Sequence, residues 1–186
     1  ITDNAHYSSV VPASIQGQWQ YVQRTEKSIF GIHAENGSLL WKTDFPGRTA
    51  VIPTPIVFGN RVYVTAGYGT GCKAIEINEK MEVKELYSNR LMKNHHGGVI
   101  KLGDYLYGYS DGYGWVCQNF KSGELKWNEK KALGKGAIAY ADKRFYCLGE
   151  GDGRVILIEA TPQGWKPQGQ FMISPQTEKR NPKGKI

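Results

Sequence analysis

Two adjacent histidines are the residues of this chain whose types and positions come nearest to a chemical site. His95 and His96 lie in the string Asn94-His95-His96-Gly97-Gly98, directly before a predicted strand. Imidazoles titrate near neutral pH, so the pair could bind a metal or act as acid and base. Adjacent side chains of an extended strand point to opposite faces, so both reach one ligand only from a loop. The alternative is structural: one histidine hydrogen-bonds to a neighbouring repeat and the other faces solvent.

Other cationic or polar side chains precede predicted strands at comparable positions. Arg48, Thr54 and Lys135 stand shortly before such strands in the sequence. Together they could form the mouth of a channel that attracts anions. Scattered, solvated surface charge is the other account of each residue alone. The formal net charge is +7, and part of it lies in residues 179–186. No stripe of Lys and Arg alternates with aromatic residues, so we expect no nucleic-acid partner.

The three cysteines, Cys72, Cys117 and Cys147, include no Cys-x-x-Cys pair. This spacing disfavours a zinc or thioredoxin-type site, and we interpret all three as small buried hydrophobic residues on strands. We expect no metal site from them. No window is apolar over the ~18 residues of a membrane span, so no span is expected. The first residues also lack the basic and apolar run of a signal peptide, which leaves the compartment open.

Tyrosines recurring at nearly constant spacing indicate that an internal repeat positions these candidates. Tyr21, Tyr63, Tyr107 and Tyr146 each lie in a short apolar strand after a polar turn, with spacings of 42, 44 and 39 residues. Repeats of this length built from short strands are typical of β-propeller blades. No long stretch shows the apolar periodicity of a helix. The sequence therefore predicts an all-β propeller segment of about four four-stranded antiparallel blades.

The predicted boundaries of the blades follow from these spacings. The four blades are expected at about residues 7–47, 48–92, 93–133 and 134–174, within a propeller domain at 1–174. In the first blade, strands are predicted at 7–11, 21–23 and 28–34, followed by a hairpin turn at Asn36-Gly37. Residues 175–186 are polar and contain two prolines, which indicates a linker or the start of a further blade.

Two segments carry a specific family resemblance. Gly37 stands four residues before Trp41, and Gly123 stands four residues before Trp127. Segments 31–41 and 117–127 resemble the tryptophan-docking repeat of quinoprotein dehydrogenases, Ala-x-Asp-x-x-x-Gly-x-x-x-Trp, although the aspartate is replaced in both copies. The strings at 52–57, 94–98, 103–108 and 155–160 are similar to those of PQQ-like propeller proteins. We expect Trp41 and Trp127 on outer strands, where a flat ring buries a large area between blades.

The resemblance implies a ring of seven or eight blades in the periplasm or outside the cell. Four blades would then be part of the ring, and the remaining blades or a second subunit would complete it. An enzyme of this family would use PQQ with calcium, which carboxylates help to hold. No carboxylate is predicted directly before the first, inner strand of a blade, where the central channel would be lined. A cationic mouth repels calcium and favours a carboxylate or an acidic sugar.

We therefore expect a non-catalytic binding scaffold, with Asn94, His95 and His96 as the first ligand contacts, supported by Arg48, Thr54 and Lys135. Two alternatives stay open at this point. One is a quinoprotein dehydrogenase-like oxidoreductase whose active site is completed by the missing blades. The other is a structural subunit of a larger assembly.

Overall fold

The structure of the chain is a computed structural model, which describes residues 2–177 and residue 179. These residues form sixteen strands and no helix. The strands make four sheets, each of four antiparallel strands placed side by side in sequence order. The predicted fold class, an all-β segment of about four four-stranded antiparallel blades, is confirmed.

The four blades follow one another along the chain. Blade 1 contains β1 (Val11–Ile15), β2 (Gln18–Arg24), β3 (Ser28–His33) and β4 (Leu39–Asp44). Blade 2 contains β5 (Ile56–Phe58), β6 (Arg61–Ala66), β7 (Gly71–Ile77) and β8 (Val83–Asn89). Blade 3 contains β9 (Val99–Leu102), β10 (Tyr105–Ser110), β11 (Gly114–Asn119) and β12 (Leu125–Glu129). Blade 4 contains β13 (Gly136–Ala141), β14 (Arg144–Gly149), β15 (Arg154–Glu159) and β16 (Pro167–Met172).

The hydrophobic core lies between successive blades rather than within any one of them. Ile15, Val22 and Trp41 of blade 1 pack with residues of blade 2 such as Val62 and Ile75. Similar clusters join blade 2 to blade 3 and blade 3 to blade 4. A sheet with two apolar faces needs a neighbour on each side, so each blade depends on those that flank it.

One irregularity marks equivalent positions in all four blades. A β-bulge interrupts the pairing of the third strand with the fourth, directly after one residue of each third strand. These residues are Gly31, Ala74, Cys117 and Leu157. On the second strand they pair with Val22, Tyr63, Tyr107 and Tyr146. The bulge therefore defines a common numbering for the repeats that does not depend on sequence similarity.

This numbering corrects the predicted equivalence of the four tyrosines. Tyr63, Tyr107 and Tyr146 occupy equivalent positions, but the residue of blade 1 at that position is Val22. Including Tyr21 in the set was wrong by one residue. Successive strand residues point to opposite faces, so Tyr21 faces away from blade 2 and is 41% exposed, while Val22 is fully buried.

The predicted first strand of blade 1, at 7–11, is also wrong. The strand is β1 (Val11–Ile15), because Gln16 and Gly17 both take positive φ and form the turn that pairs Ile15 with Gln18. Two-residue hairpin turns of this kind match the twist of the flanking strands. Tyr7 lies before the strand and donates its backbone N–H to the carbonyl of Val51 at 3.1 Å.

All three cysteines are free and buried, as expected for small hydrophobic residues on strands. Cys72 and Cys117 lie at different repeat positions, because Ala74 holds the position of Cys117 in blade 2. The tail predicted at 175–186 falls mainly on residues 178 and 180–186, which lie outside the described residues.

Side chains of the outer strands tie each blade to the next. Tyr87 of β8 donates its hydroxyl to the carbonyl of Phe120 in blade 3 at 3.1 Å. Trp127 of β12 donates its Nε1–H to the carbonyl of Thr161 in blade 4 at 3.0 Å. Tyr87 pairs with Ala74 as Trp127 pairs with Cys117, so an aromatic donor at one repeat position serves both junctions.

The first junction uses a different donor. Trp41 is buried between blades 1 and 2, but its Nε1–H goes to Oε1 of Gln20 in its own blade at 2.6 Å. Gln16 instead donates to the carbonyl of Ile77 in blade 2 at 2.9 Å. Trp41 and Trp127 both lie on fourth strands as expected, and Trp127 is only half-buried.

Candidate functional site

Two kinds of connection meet at one end of the blades, which we call the link end. Successive strands of a blade reverse direction, so the turn between its second and third strands lies beside the link to the next blade. His95 and His96 lie in the link from β8 to β9, and Lys135 lies in the link from β12 to β13. Asp111 begins the turn between β10 and β11, and Glu150 follows β14.

Lys135 joins two of these connections. Its Nζ lies 2.8 Å from Asp111 Oδ1 and 2.8 Å from His95 Nδ1. A lysine ammonium group only donates hydrogen bonds, so Nδ1 of His95 must be the acceptor. The His95 ring is therefore neutral in this arrangement and carries its proton on Nε2.

His96 has a partner of its own. Its Nε2 lies 2.9 Å from Glu150 Oε2 of blade 4. The two imidazole rings lie 4.9 Å apart between centroids, and the ring of Tyr68 in blade 2 meets His95 edge-on at 4.6 Å. Three blades thus contribute to one set of contacts, which we call the link-end network: Tyr68, His95, His96, Asp111, Lys135 and Glu150.

The surroundings of His95 disfavour its protonated form. Partial burial lowers the pKa of His95 below its ordinary value of 6.5, and the positive charge of Lys135 adds to this effect. Asp111 and Glu150 oppose the shift without reversing it. The lowered pKa agrees with the hydrogen bond from Lys135, which only the neutral ring can accept.

We predict that His95 titrates below 6.5 in the folded protein. The unfolded chain then takes up a proton more readily than the folded one, so the stability contributed by neutral His95 is complete above 6.5 and is lost as pH falls through the lowered pKa. NMR titration of the ring carbon protons measures this pKa. Lys135→Met should raise the pKa, because it removes both the repelling charge and the donor to Nδ1. A His95 titration at or above 6.5 in the unsubstituted protein would contradict the assignment.

The two carboxylates of the network were missed by sequence reasoning. The predicted mouth contained only cationic and neutral groups, whereas the structure adds Asp111, paired with Lys135, and Glu150, paired with His96. Both residues directly follow a second strand and precede a glycine. If the repeats are aligned on the end of the second strand instead of the start of the first strand, both carboxylates fall at the same end of the blades as the histidines.

The remaining predicted site residues lie apart from the network or within the protein. Asn94 is fully buried and donates its side-chain amide to the carbonyls of Gly98 and Tyr109, so it cannot contact a ligand in this conformation. Thr54 accepts a hydrogen bond from the backbone of Ser9 at 3.4 Å. Arg48 lines a cavity between blades 1 and 2 whose wall includes Tyr68 of the network.

The exposed faces of the two end blades form the other candidate site. In blades 2, 3 and 4, the second-strand residue directly before the tyrosine of the bulge pair is fully buried against the preceding blade. These residues are Val62, Leu106 and Phe145. The equivalent residue of blade 1 is Tyr21, which is 41% exposed. Among the described residues, no blade covers the face of blade 1 that points away from blade 2.

Blade 4 shows the same feature on its opposite side. Val22, Tyr63 and Tyr107 are buried against the following blade, whereas their equivalent Tyr146 is half-buried. Leu157 and Phe171 lie on the same face of blade 4, and Phe171 is 50% exposed. We call these two surfaces the leading face of blade 1 and the trailing face of blade 4.

Within residues 2–177 and 179, no three His, Cys, Asp or Glu side chains are grouped so that they could hold a metal ion. In the same part of the chain, no helix has the length and apolar character needed to cross a membrane.

A comparison with families of known proteins matches residues 3–81. The matching family is described as "Outer membrane protein assembly factor BamB". These residues span blade 1 and most of blade 2. A search of curated protein sequences found no match.

Solved structures share the fold at low sequence identity. BamB from Moraxella catarrhalis is 13% identical with a TM-score of 0.64, and the alignment covers 93% of this chain and 51% of that chain. Sqt1 from Saccharomyces cerevisiae is 10% identical with a TM-score of 0.66, covering 93% and 52%. The computationally designed protein Ika8 is 10% identical with a TM-score of 0.63, covering 90% and 61%. This chain therefore spans about half the length of the structures it matches first, it has the fold of a β-propeller, and residues 3–81 match the BamB family.

Proposed function

We propose that this chain is part of a larger propeller that serves as a non-catalytic scaffold for protein partners outside the cytoplasm. The observation that carries the proposal is the pair of uncovered faces at blades 1 and 4. The match of residues 3–81 to a family described as an outer membrane protein assembly factor supports both the scaffold role and the location.

The trailing face of blade 4 is built for contact with another blade. Tyr146, Leu157 and Phe171 hold positions on the face that the first three blades bury against their successors. Contiguous apolar surface of this kind marks an interaction site in a soluble protein. The immediate occupant that fits is a further blade with the same repeat, supplied by more of this protein or by a second subunit.

The quinoprotein alternative is tested by the donors at the link end. Calcium takes six to eight oxygen ligands, and a PQQ site would need carboxylates free to supply some of them. Asp111 is occupied by Lys135, and Glu150 is occupied by His96. These residues do not fit a calcium–quinone pair.

The single substitution Phe171→Asp tests whether the trailing face is covered in the functional protein. If another blade packs on it, burying a charge in place of the phenyl ring should cost about 2–3 kcal/mol or separate the subunits. Met172→Asp is the matched control, because the neighbouring residue is similarly exposed at 49% and points to the opposite face. Chemical unfolding and sedimentation velocity of the full-length protein measure the two effects.

Two results would count against the scaffold proposal. One is an equal effect of Phe171→Asp and Met172→Asp on the free energy of unfolding. The other is a full-length protein that consists of a stable, monomeric set of four blades with both end faces exposed.

A further inference from the structure

A cavity between blades 1 and 2 has the composition of an anion site. It lies at the link end and has a volume of about 620 Å³, within the range of pockets that bind ligands. Its walls come from the link after β4 and from the turn between β6 and β7, and Arg90 closes one side. The lining residues include Phe45, Gly47, Arg48, Tyr68, Thr70 and Arg90.

The charge of this cavity is one-sided. Arg48 and Arg90 are both exposed, and neither makes an ion pair within the described part of the chain. No described residue that lines the cavity is acidic. Arginine presents a planar fork of N–H donors that matches the two oxygens of a carboxylate. Two such side chains at one opening favour an oxyanion between them.

A third arginine lies directly behind the wall. Arg24 is fully buried, and its Nη2 donates to the carbonyl of Phe45 at 3.2 Å while its Nη1 donates to the carbonyl of Thr65 at 2.6 Å. The guanidinium lies 4.5 Å from the centre of the Phe45 ring. A Cβ atom at Gly47 would lie 3.2 Å from Nη2, so the charge is close to the backbone of the cavity wall.

Arg24 has no acidic partner among the described residues, and its Nε is buried without a hydrogen bond. Burial lowers the pKa of Arg24 to about 9, so the group is still charged at neutral pH. A buried, unpaired cation is costly, and an anion held nearby would offset part of that cost.

We propose that this cavity binds a carboxylate group of an acidic peptide segment, with Arg48 and Arg90 as direct contacts and Arg24 as a buried charge behind them. The peptide assignment rests on the scaffold function proposed above. Tyr68 is 42% exposed and offers an apolar wall for the part of the peptide next to the carboxylate. A free small carboxylate shares the same chemistry, and the experiment separates the two sources.

Fluorescence polarisation of a labelled hexaglutamate peptide on the full-length protein tests the site. Replacing Arg48 or Arg90 by Gln should weaken binding about tenfold, as expected for the loss of charge-assisted hydrogen bonds. Arg48→Lys should recover only part of the affinity, because it restores the charge without the planar fork. The matched control is Lys126→Gln, which removes one positive charge from an exposed position on β12 of blade 3.

The proposal is supported if the arginine variants lose affinity, the control binds as the unsubstituted protein does, and a hexaglutamine peptide does not bind. It is overturned if Lys126→Gln weakens binding as much as the arginine variants, since attraction would then be diffuse. It is also overturned if free glutarate or inorganic phosphate binds as tightly as the peptide. Because Phe171→Asp tests a face of blade 4, failure of the scaffold proposal and failure of this site give different results.

Discussion

Replacing Trp41 by alanine should lower the free energy of unfolding by about 3–5 kcal/mol, the range for large aromatic residues in protein cores. The ring is 3% exposed and packs in the cluster that joins blades 1 and 2. Its removal also leaves Oε1 of the fully buried Gln20 without the indole donor. An unsatisfied buried acceptor adds its own penalty to the cavity. Chemical unfolding followed by circular dichroism measures the loss.

Trp19→Ala is the matched control for this prediction. The same residue type is removed from blade 1, but Trp19 is 60% exposed, so the change should stay within about 0.5 kcal/mol. Trp127 is half-buried and donates to the carbonyl of Thr161, so Trp127→Ala should fall between the two. A loss below about 1 kcal/mol for Trp41→Ala would show that the contact between blades 1 and 2 contributes little.

The fold was predictable because it is encoded locally and four times over. Each blade repeats short apolar strands and turn residues, so a wrong strand prediction in one blade does not change the predictions for the other three. Tyr21 departs from the repeat position by one residue. Spacing alone cannot distinguish two adjacent strand residues, whereas the bulge pairing with Gly31 shows that Val22 is the repeat position.

The link-end network was only half predictable. His95 and His96 were identifiable because two titratable residues stand together in one string. Their partners Glu150 and Lys135 come from blade 4, and the contacts depend on how three blades pack. No local pattern encodes such a distance, and the same holds for the position of Arg24 behind the wall formed by Phe45 and Gly47.

Gly123 and Gly37 provide a test of how one blade receives the side chain of the blade before it. Both have a left-handed backbone, with φ of 74° and 72°, and both precede a tryptophan by four residues. A Cβ at Gly123 would lie 2.6 Å from Cδ2 of Tyr87 in blade 2, whereas no described atom lies within 4 Å of a Cβ at Gly37. Among the described residues, blade 2 precedes blade 3 and supplies Tyr87, whereas no blade precedes blade 1.

Gly123→Ala should therefore destabilise this chain by about 2–5 kcal/mol, combining left-handed backbone strain of about 1–2 kcal/mol with the displacement of the Tyr87 ring. Gly37→Ala should cost only the backbone strain, about 1–2 kcal/mol. Chemical unfolding of the two variants gives the difference, which isolates the contact between blades. Equal losses would mean that the Tyr87 ring moves aside at no cost.

The same pair reports on the uncovered leading face of blade 1. If another blade packs there in the complete protein, its outer strand would bring a side chain against Gly37 as Tyr87 is brought against Gly123. The cost of Gly37→Ala should then rise towards that of Gly123→Ala when the remaining blades are present, and should fall back when they are removed. A cost that stays at the backbone value in the complete protein would show that blade 1 receives no such neighbour.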